Sequence, residues 1–330
     1  MSPALSPLAA AVVLSAVICA VALWLLLRYA AARLPLDVPN TRSLHDQPVP
    51  RVGGLAIALG LAVVVLAGLA PFGLALGLAL ALAALSFLDD LRPLPTIVRF
   101  AAHLAASGAL AWYVLAPMDP LDLALIALAI AWLTNLYNFM DGSDGLAAGM
   151  SVAGFASYAI AAWLAGDAPT ALVCASLVGA AAAFLAFNFP PARVFLGDVG
   201  SIPLGFLAGA LGVIGWRNDA WPLWFPLLVF APFIGDATVT LIRRLLRRER
   251  VWQAHKEHYY QRLVRMGFGH RGTAGVAYGA MLVCATAALL GRAQAPAVQA
   301  SIFAGVTIAL AAFAAWVDLR WARYLRASQG

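Results

Sequence analysis

Apolar runs long enough to cross a lipid bilayer recur from one end of this chain to the other, and no other feature constrains its fold so strongly. A helical crossing needs about 20 predominantly apolar residues. Inside the bilayer every backbone N–H and C=O must find a partner within the protein, which leaves helices as the solution for runs of this length. Of the 330 residues, 63% are hydrophobic and only 11% charged, against about 25% charged in a typical soluble domain. The expected fold is therefore all-α and polytopic, with residues 1–330 forming a single transmembrane domain and no soluble domain of useful size.

Hydropathy places about eleven spans, near 7–27, 54–70, 72–88, 99–116, 121–137, 149–165, 169–187, 200–216, 221–242, 273–290 and 297–317. The first run lacks a basic leader and is too long for a signal-peptide core, so it is expected to stay as a membrane helix. Cys19, Cys174 and Cys284 each sit inside an apolar run without metal-ligand spacing, as packed thiols do.

Basic residues set the orientation. One side would hold loops 28–53, 89–98, 138–148, 188–199 and 243–272 and the tail 318–330. With Arg99 counted as a helix-end residue, that side carries 19 of the 21 Lys and Arg. The positive-inside tendency makes it cytoplasmic, with the N-terminus periplasmic and the C-terminus cytoplasmic. Topology and anionic lipid account for the net charge of +6, so no nucleic-acid partner is needed.

The polar motifs fall on that same side. Asn135-Leu136-Tyr137-Asn138-Phe139-Met140-Asp141-Gly142-Ser143-Asp144-Gly145 packs two carboxylates and two carboxamides into a chain that otherwise avoids polar groups. Such groups at a membrane boundary are costly unless used. Asp89-Asp90 closes the third span, where two adjacent carboxylates repel unless a cation or proton lies between them. It is also the unfavourable end of a helix dipole for anions; salt bridges to Arg92 or Arg99 are the plain alternative. Phe195-Leu196-Gly197-Asp198-Val199-Gly200-Ser201 precedes the eighth span, where Asp198 serves either as an N-cap or as a ligand. The loop from Asp37 to Gly54 brings Arg42, His45 and Arg51 beside Gly53-Gly54, a set able to meet a phosphate. Residues 243–272 begin as a basic interfacial helix suited to anionic lipid, followed by His255-Lys256-Glu257-His258-Tyr259-Tyr260-Gln261-Arg262. Asp236, inside the ninth span, is a functional candidate by its depth, or a partner for Arg243 or Arg244. Oxygen ligands without thiolates suit a hard cation, Mg²⁺ with Mn²⁺ as the alternative, and basic groups around such a cation suit polyphosphate. Metal-assisted phosphoryl or phosphosugar transfer at the bilayer surface follows.

Five pieces, in order over residues 37 to 265, resemble the polyprenyl-phosphate N-acetylhexosamine-1-phosphate transferases. They are Asp37-x-Pro-Asn40-x-Arg42-x-x-His45 through Pro50-Arg51-x-Gly53-Gly54, Asp89-Asp90, Asn138-x-x-Asp141-Gly142-x-Asp144-Gly145, Phe195-x-Gly197-Asp198-x-Gly200-Ser201 and His258-x-Tyr260-Gln261-Arg262-Leu263. The resemblance implies a bacterial inner-membrane enzyme with a cytoplasmic active site. It would transfer N-acetylhexosamine 1-phosphate from a UDP-N-acetylhexosamine to undecaprenyl phosphate, releasing UMP. By the same resemblance, Asp198 and Asn138 hold Mg²⁺, Asp89 orients or deprotonates the lipid phosphate, and Asp90 supports it. Arg42, Arg51, Arg99, Asn135, Asp141, Asp144, Phe195 and His258 form the substrate-binding set, with Phe195 stacking on uracil. Asp89 could act through a covalent intermediate or by activating the lipid phosphate, and a homodimer is compatible with the family. Tyr260 and Gln261 stand where many members carry further His, a form that resembles the O-antigen-initiating branch. The competing reading, a transporter or flippase, predicts carboxylates near the membrane midplane, where only Asp236 lies deep.

Overall fold

The computed structural model describes residues 5–29, 36–39, 44, 47–68, 72–250, 253 and 255–328. In chain order the elements are α1 (Leu5–Tyr29), β1 (Leu36–Asp37), β2 (Val49–Pro50), α2 (Gly53–Leu66), α3 (Gly73–Leu91), α4 (Thr96–Leu115), α5 (Pro120–Phe139), α6 (Leu146–Ala165) and α7 (Ala168–Asn188). They continue with α8 (Asp198–Arg217), α9 (Trp224–Val229), α10 (Ala231–Leu246), α11 (Tyr259–Leu263), α12 (Gly269–Gly291) and α13 (Pro296–Ala327). Among the described residues, nine helices are long and apolar enough to cross a membrane. The protein is an all-α, multi-pass integral membrane protein.

Two of the expected spans take a different form. The run at 54–70 yields α2, whose 14 residues reach only about 21 Å. Gly68, at φ 68°, lies past its end in the left-handed region, where helices stop. The run at 221–242 breaks at Phe230 into α9 and α10, with Pro232 entering the first turn of α10.

Lipid tails are as apolar as the protein interior, so close packing holds such a bundle together. α8 and α6 are the most enclosed of the long helices: α6 packs on α7, and α8 on α3 and α5. In the core Trp221 stacks on Tyr158 at 4.8 Å between centroids, and Tyr137 meets Phe233 at 5.2 Å. The polar tips are satisfied: Tyr158 Oη donates to Ala208 O at 3.0 Å and Trp221 Nε1 to Gly212 O at 2.9 Å. α13 packs on α10, α11 and α12 at the edge of the bundle, with Val317 its one buried residue.

Candidate active site

The site is assembled where β2 and α2 meet the start of α8. Phe195 N–H donates to Pro50 O (2.8 Å), Gly53 N–H to Phe195 O (3.0 Å) and Gly54 N–H to Leu196 O (3.0 Å). This parallel ladder fixes the base of the β1–β2 hairpin against the chain that delivers Asp198. It requires unusually close contact between helices. A Cβ on Gly54 would lie 2.3 Å from the Gly200 backbone nitrogen, so the Gly53-Gly54 pair serves here as a packing surface. Gly197, at φ 70°, turns the chain into α8.

Around this junction charges converge from distant parts of the sequence. Arg51 pairs with Asp37 at 2.9 Å. Arg99, from the first turn of α4, donates to Asp89 Oδ2 at 2.8 Å and lies 3.9 Å from Asp198 Oδ2. Asp89 also accepts from Leu94 N–H at 2.6 Å. Asn138 contacts Asp198 by a side-chain hydrogen bond and accepts from Ser201 Oγ at 2.8 Å. Asp90 has Asp198, Arg51, Asp89 and Asp37 as its charged neighbours. Asp141 accepts from Gly197 N–H; burial and then the Asp198 charge push its carboxyl well above the ordinary value, with Arg51 opposing. Burial works against the Arg51 charge, but Asp37, Asp198 and Asp90 together raise its pKa. Five carboxylates thus face two guanidinium groups. Such an excess of like charge is relieved by a cation or by a proton between the carboxylates.

The other expected residues sit around this centre. Asn135, one turn before Asn138, bonds His103 Nδ1 at 3.2 Å and Ala131 O at 2.7 Å. Phe195 lies in the ladder with Pro50 and Gly53. Asp144 is buried and accepts from Ala192 N–H at 2.9 Å. Arg42 lies outside the described residues.

His258 is buried behind the loop that follows α5, stacked on Phe139 at 6.5 Å between ring centroids. Its Nδ1 lies 3.0 Å from Asp236 Oδ1. The same carboxylate accepts from Tyr259 N–H and Tyr260 N–H, each at 3.0 Å, capping α11. Asp236 therefore fixes the His258 motif and does not pair with Arg243 or Arg244. Arg243 goes to Asp318 at 2.8 Å, and Arg244 to Glu249 at 3.0 Å and Glu257 at 2.6 Å. Tyr260 and Gln261 also have defined contacts. Tyr260 Oη donates to Phe139 O at 3.1 Å, and Gln261 Oε1 accepts from His258 N–H at 3.1 Å.

One residue without any sequence signal belongs to this ring. His270, in the first turn of α12, contacts Ser143 Oγ (3.0 Å), Asp144 N (3.2 Å) and Leu44 O (3.0 Å). Arg271 beside it donates to Pro190 O at 3.0 Å. Only spatial neighbours 126 to 226 residues away reveal the role of His270, and no local spacing announces it.

Two apolar recesses open among the membrane helices next to the charged centre. One, of about 170 Å³, runs between α2, α3 and α8 from Gly54 and Gly200. The other, of about 420 Å³, lies between α10, α12 and α13, with Met140, Asp236 and Tyr260 in its wall. Among the described residues no three His, Cys, Asp or Glu side chains group tightly enough to hold a metal ion by themselves. Asp198 with Asn138 offers one carboxylate and one carboxamide oxygen, a small set of the kind with which a cation such as Mg²⁺ would bind while completing its shell from water and substrate phosphate.

Fold and site together define a membrane-embedded enzyme with a charged centre at the helix ends and apolar recesses leading from it. Residues 71–216 match the family described as Glycosyl transferase family 4. The chain is 31% identical over 263 residues to a probable undecaprenyl-phosphate N-acetylglucosaminyl 1-phosphate transferase of Bacillus subtilis, covering 74% of this chain and 73% of that protein. It is 31% identical to a decaprenyl-phosphate N-acetylglucosaminephosphotransferase of Mycolicibacterium smegmatis, over 71% of this chain and 69% of the other. A shorter match, 33% over 144 residues, reaches the phospho-N-acetylmuramoyl-pentapeptide-transferase of Enterococcus hirae, covering 43% and 44% of the two chains. The chain belongs to the polyprenyl-phosphate N-acetylhexosamine-1-phosphate transferase family, and it is a phosphosugar transferase.

Proposed function

We propose that this enzyme transfers N-acetylhexosamine 1-phosphate from a UDP-sugar to undecaprenyl phosphate on the cytoplasmic face of a bacterial inner membrane. A lipid-phosphate oxygen attacks the sugar-bearing phosphorus, the bond to the UMP phosphate breaks, and UMP leaves. The observation that carries this reading is the cluster of Asp37, Asp89, Asp90, Asp141 and Asp198 around Arg51 and Arg99. A site with that excess of acid accepts a diphosphate only together with a cation. Asp198 and Asn138 would hold Mg²⁺, which when bound neutralises charge on the diphosphate. Arg51 and Arg99 provide the remaining positive charge. Asp89, held by Arg99 and Leu94 N–H, orients the lipid phosphate or takes its proton. The protein's contribution is mainly positioning and electrostatics. The apolar recesses beside the cluster suit a lipid chain.

The names of two relatives make UDP-N-acetylglucosamine the first donor to try. The His258-x-Tyr260-Gln261 form favours an O-antigen or related envelope polysaccharide. The test incubates membranes carrying the enzyme with undecaprenyl phosphate and a panel of UDP-N-acetylhexosamines, and follows UMP. UMP is expected to appear with at least one donor, to stop with EDTA and to return with Mg²⁺ or Mn²⁺. Asp198→Asn should reduce UMP release at least 100-fold, a typical cost of losing a charge-stabilising group, while the protein stays monodisperse. Chelator-resistant turnover would remove the metal from the mechanism.

A further inference from the structure

Beside Asp89, Asp90 and Arg99 from the α3–α4 corner, three loops deliver charged members of the site. The β1–β2 hairpin brings Arg51, the loop after α5 brings Asp141, and the loop after α7 leads through Phe195 to Asp198. All three meet at the start of α12, outside the acid cluster. There His270 joins the first two, because its Nε2 lies 3.0 Å from Leu44 O in the hairpin connection and its Nδ1 3.0 Å from Ser143 Oγ and 3.2 Å from Asp144 N. Asp144 in turn accepts from Ala192 N–H of the third loop, at 2.9 Å. Its other oxygen stands 3.6 Å from His270 Nδ1, too far for a hydrogen bond.

The partners determine the tautomer. The Leu44 carbonyl can only accept, so Nε2 carries the hydrogen. Asp144 N–H can only donate, so Nδ1 is a bare acceptor, which the Ser143 hydroxyl also addresses. A single neutral imidazole therefore satisfies both sides, and no other side chain supplies a donor and an acceptor in that rigid arrangement. The hairpin is held at its base by the Phe195 ladder and, at Leu44, by this ring.

We infer that His270 is a positioning residue for the transfer reaction, a clasp whose neutral ring holds the hairpin connection at Leu44 against the Ser143–Asp144 loop and so keeps Arg51, Asp141 and Asp198 in one arrangement. This rests on the reading of the site as a UDP-sugar phosphotransferase. Loss of the clasp leaves the acids and guanidinium groups present but loosens their spacing, so binding of the diphosphate suffers more than the chemical step.

The test compares His270→Ala, His270→Asn and His270→Gln in the purified full-length enzyme. A Gln amide N–H reaches toward the position of Nε2, whereas an Asn amide replaces only the Nδ1 side. KM for the UDP-sugar is expected to rise about tenfold in the Ala and Asn variants, the worth of one well-made hydrogen bond. The accompanying change in kcat should be smaller than about threefold, and Gln should recover most of the KM. A second measurement does not depend on turnover: a maleimide reacting with Gln47→Cys, an exposed site in the hairpin connection. The described thiols Cys19, Cys174 and Cys284 are all buried and should stay silent. Faster labelling in the Ala and Asn backgrounds, slowed again by Gln, supports the clasp. Unchanged labelling, or a KM in His270→Ala equal to that of the parent, overturns it. If the parent enzyme releases no UMP from any donor, the functional reading falls, and labelling alone then decides on the clasp.

Discussion

At the scale of single residues, Asp236 does the work that its depth in the sequence disguised. A carboxylate inside an apolar run reads as an ion-pathway residue. Here its two oxygens take the first amides of α11 and the ring of His258. Asp236→Asn would turn an NH₂ group or a weaker acceptor toward those donors. The expected cost is about 1–3 kcal/mol of stability, read by thermal unfolding in detergent, with a loss of UMP release as His258 loses its orientation. Nearby, burial first and then the charges of His258 and Arg244 push the His255 ring down to about 4. The ring is thus neutral in the fold but titrates near 6.5 once unfolded. Over that interval the unfolded chain binds the extra proton, so stability is full above about pH 6.5 and declines as pH falls toward 4. Glu257 adds to the trend at lower pH, because Arg247 and Arg244 outweigh its burial and hold its carboxyl below the ordinary value. Melting temperatures at pH 7.5 and 5 should differ, and His255→Gln should flatten that difference.

At the scale of elements, the approach of α2 to α8 is the contact on which the site depends. A methyl group on Gly54 meets the Gly200 backbone nitrogen at 2.3 Å and its Cα at 2.5 Å, and neither can rotate away. Gly54→Ala is expected to cost about 1–3 kcal/mol by overpacking and to lower turnover at least tenfold, because the start of α8 carries Asp198. Gly77→Ala is the control: nothing lies within 4 Å of its added methyl group, and a helical Gly→Ala change is worth up to about 1 kcal/mol of added stability. Equal melting temperatures for the two variants would show that the contact has slack. These elements were only partly legible beforehand. Hydropathy located each apolar run, because composition decides which segments sit in lipid. It did not show that α2 stops short or that the ninth run breaks at Phe230. Those outcomes depend on Gly68 entering the left-handed region and on Pro232 in the first turn of α10, which a window average smooths over.

At the scale of the whole molecule, the basic residues carried more information than any single motif. Their concentration in alternate loops predicted that Asp89, Asn138, Asp198 and His258 would share one end of the bundle. The structure brings the first three around one centre, with His258 behind the loop that follows α5. His270 and the Asp236 partnership stayed invisible, since both arise from contacts between segments far apart in sequence. The shared end also makes the orientation testable as a single proposition. α7 is 21 residues long, about 31 Å from end to end, so its two ends should lie on opposite sides of the membrane. A cysteine replacing Ala168, the first residue of α7, should react with a membrane-impermeant maleimide added to intact cells. One replacing Ala192, in the loop that Asp144 holds, should react only after the membrane is opened. The described native thiols are buried and give little background. The opposite labelling pattern would turn the acid cluster toward the periplasm, where a cytosolic nucleotide sugar could not reach it, and the proposed reaction could not proceed at this site.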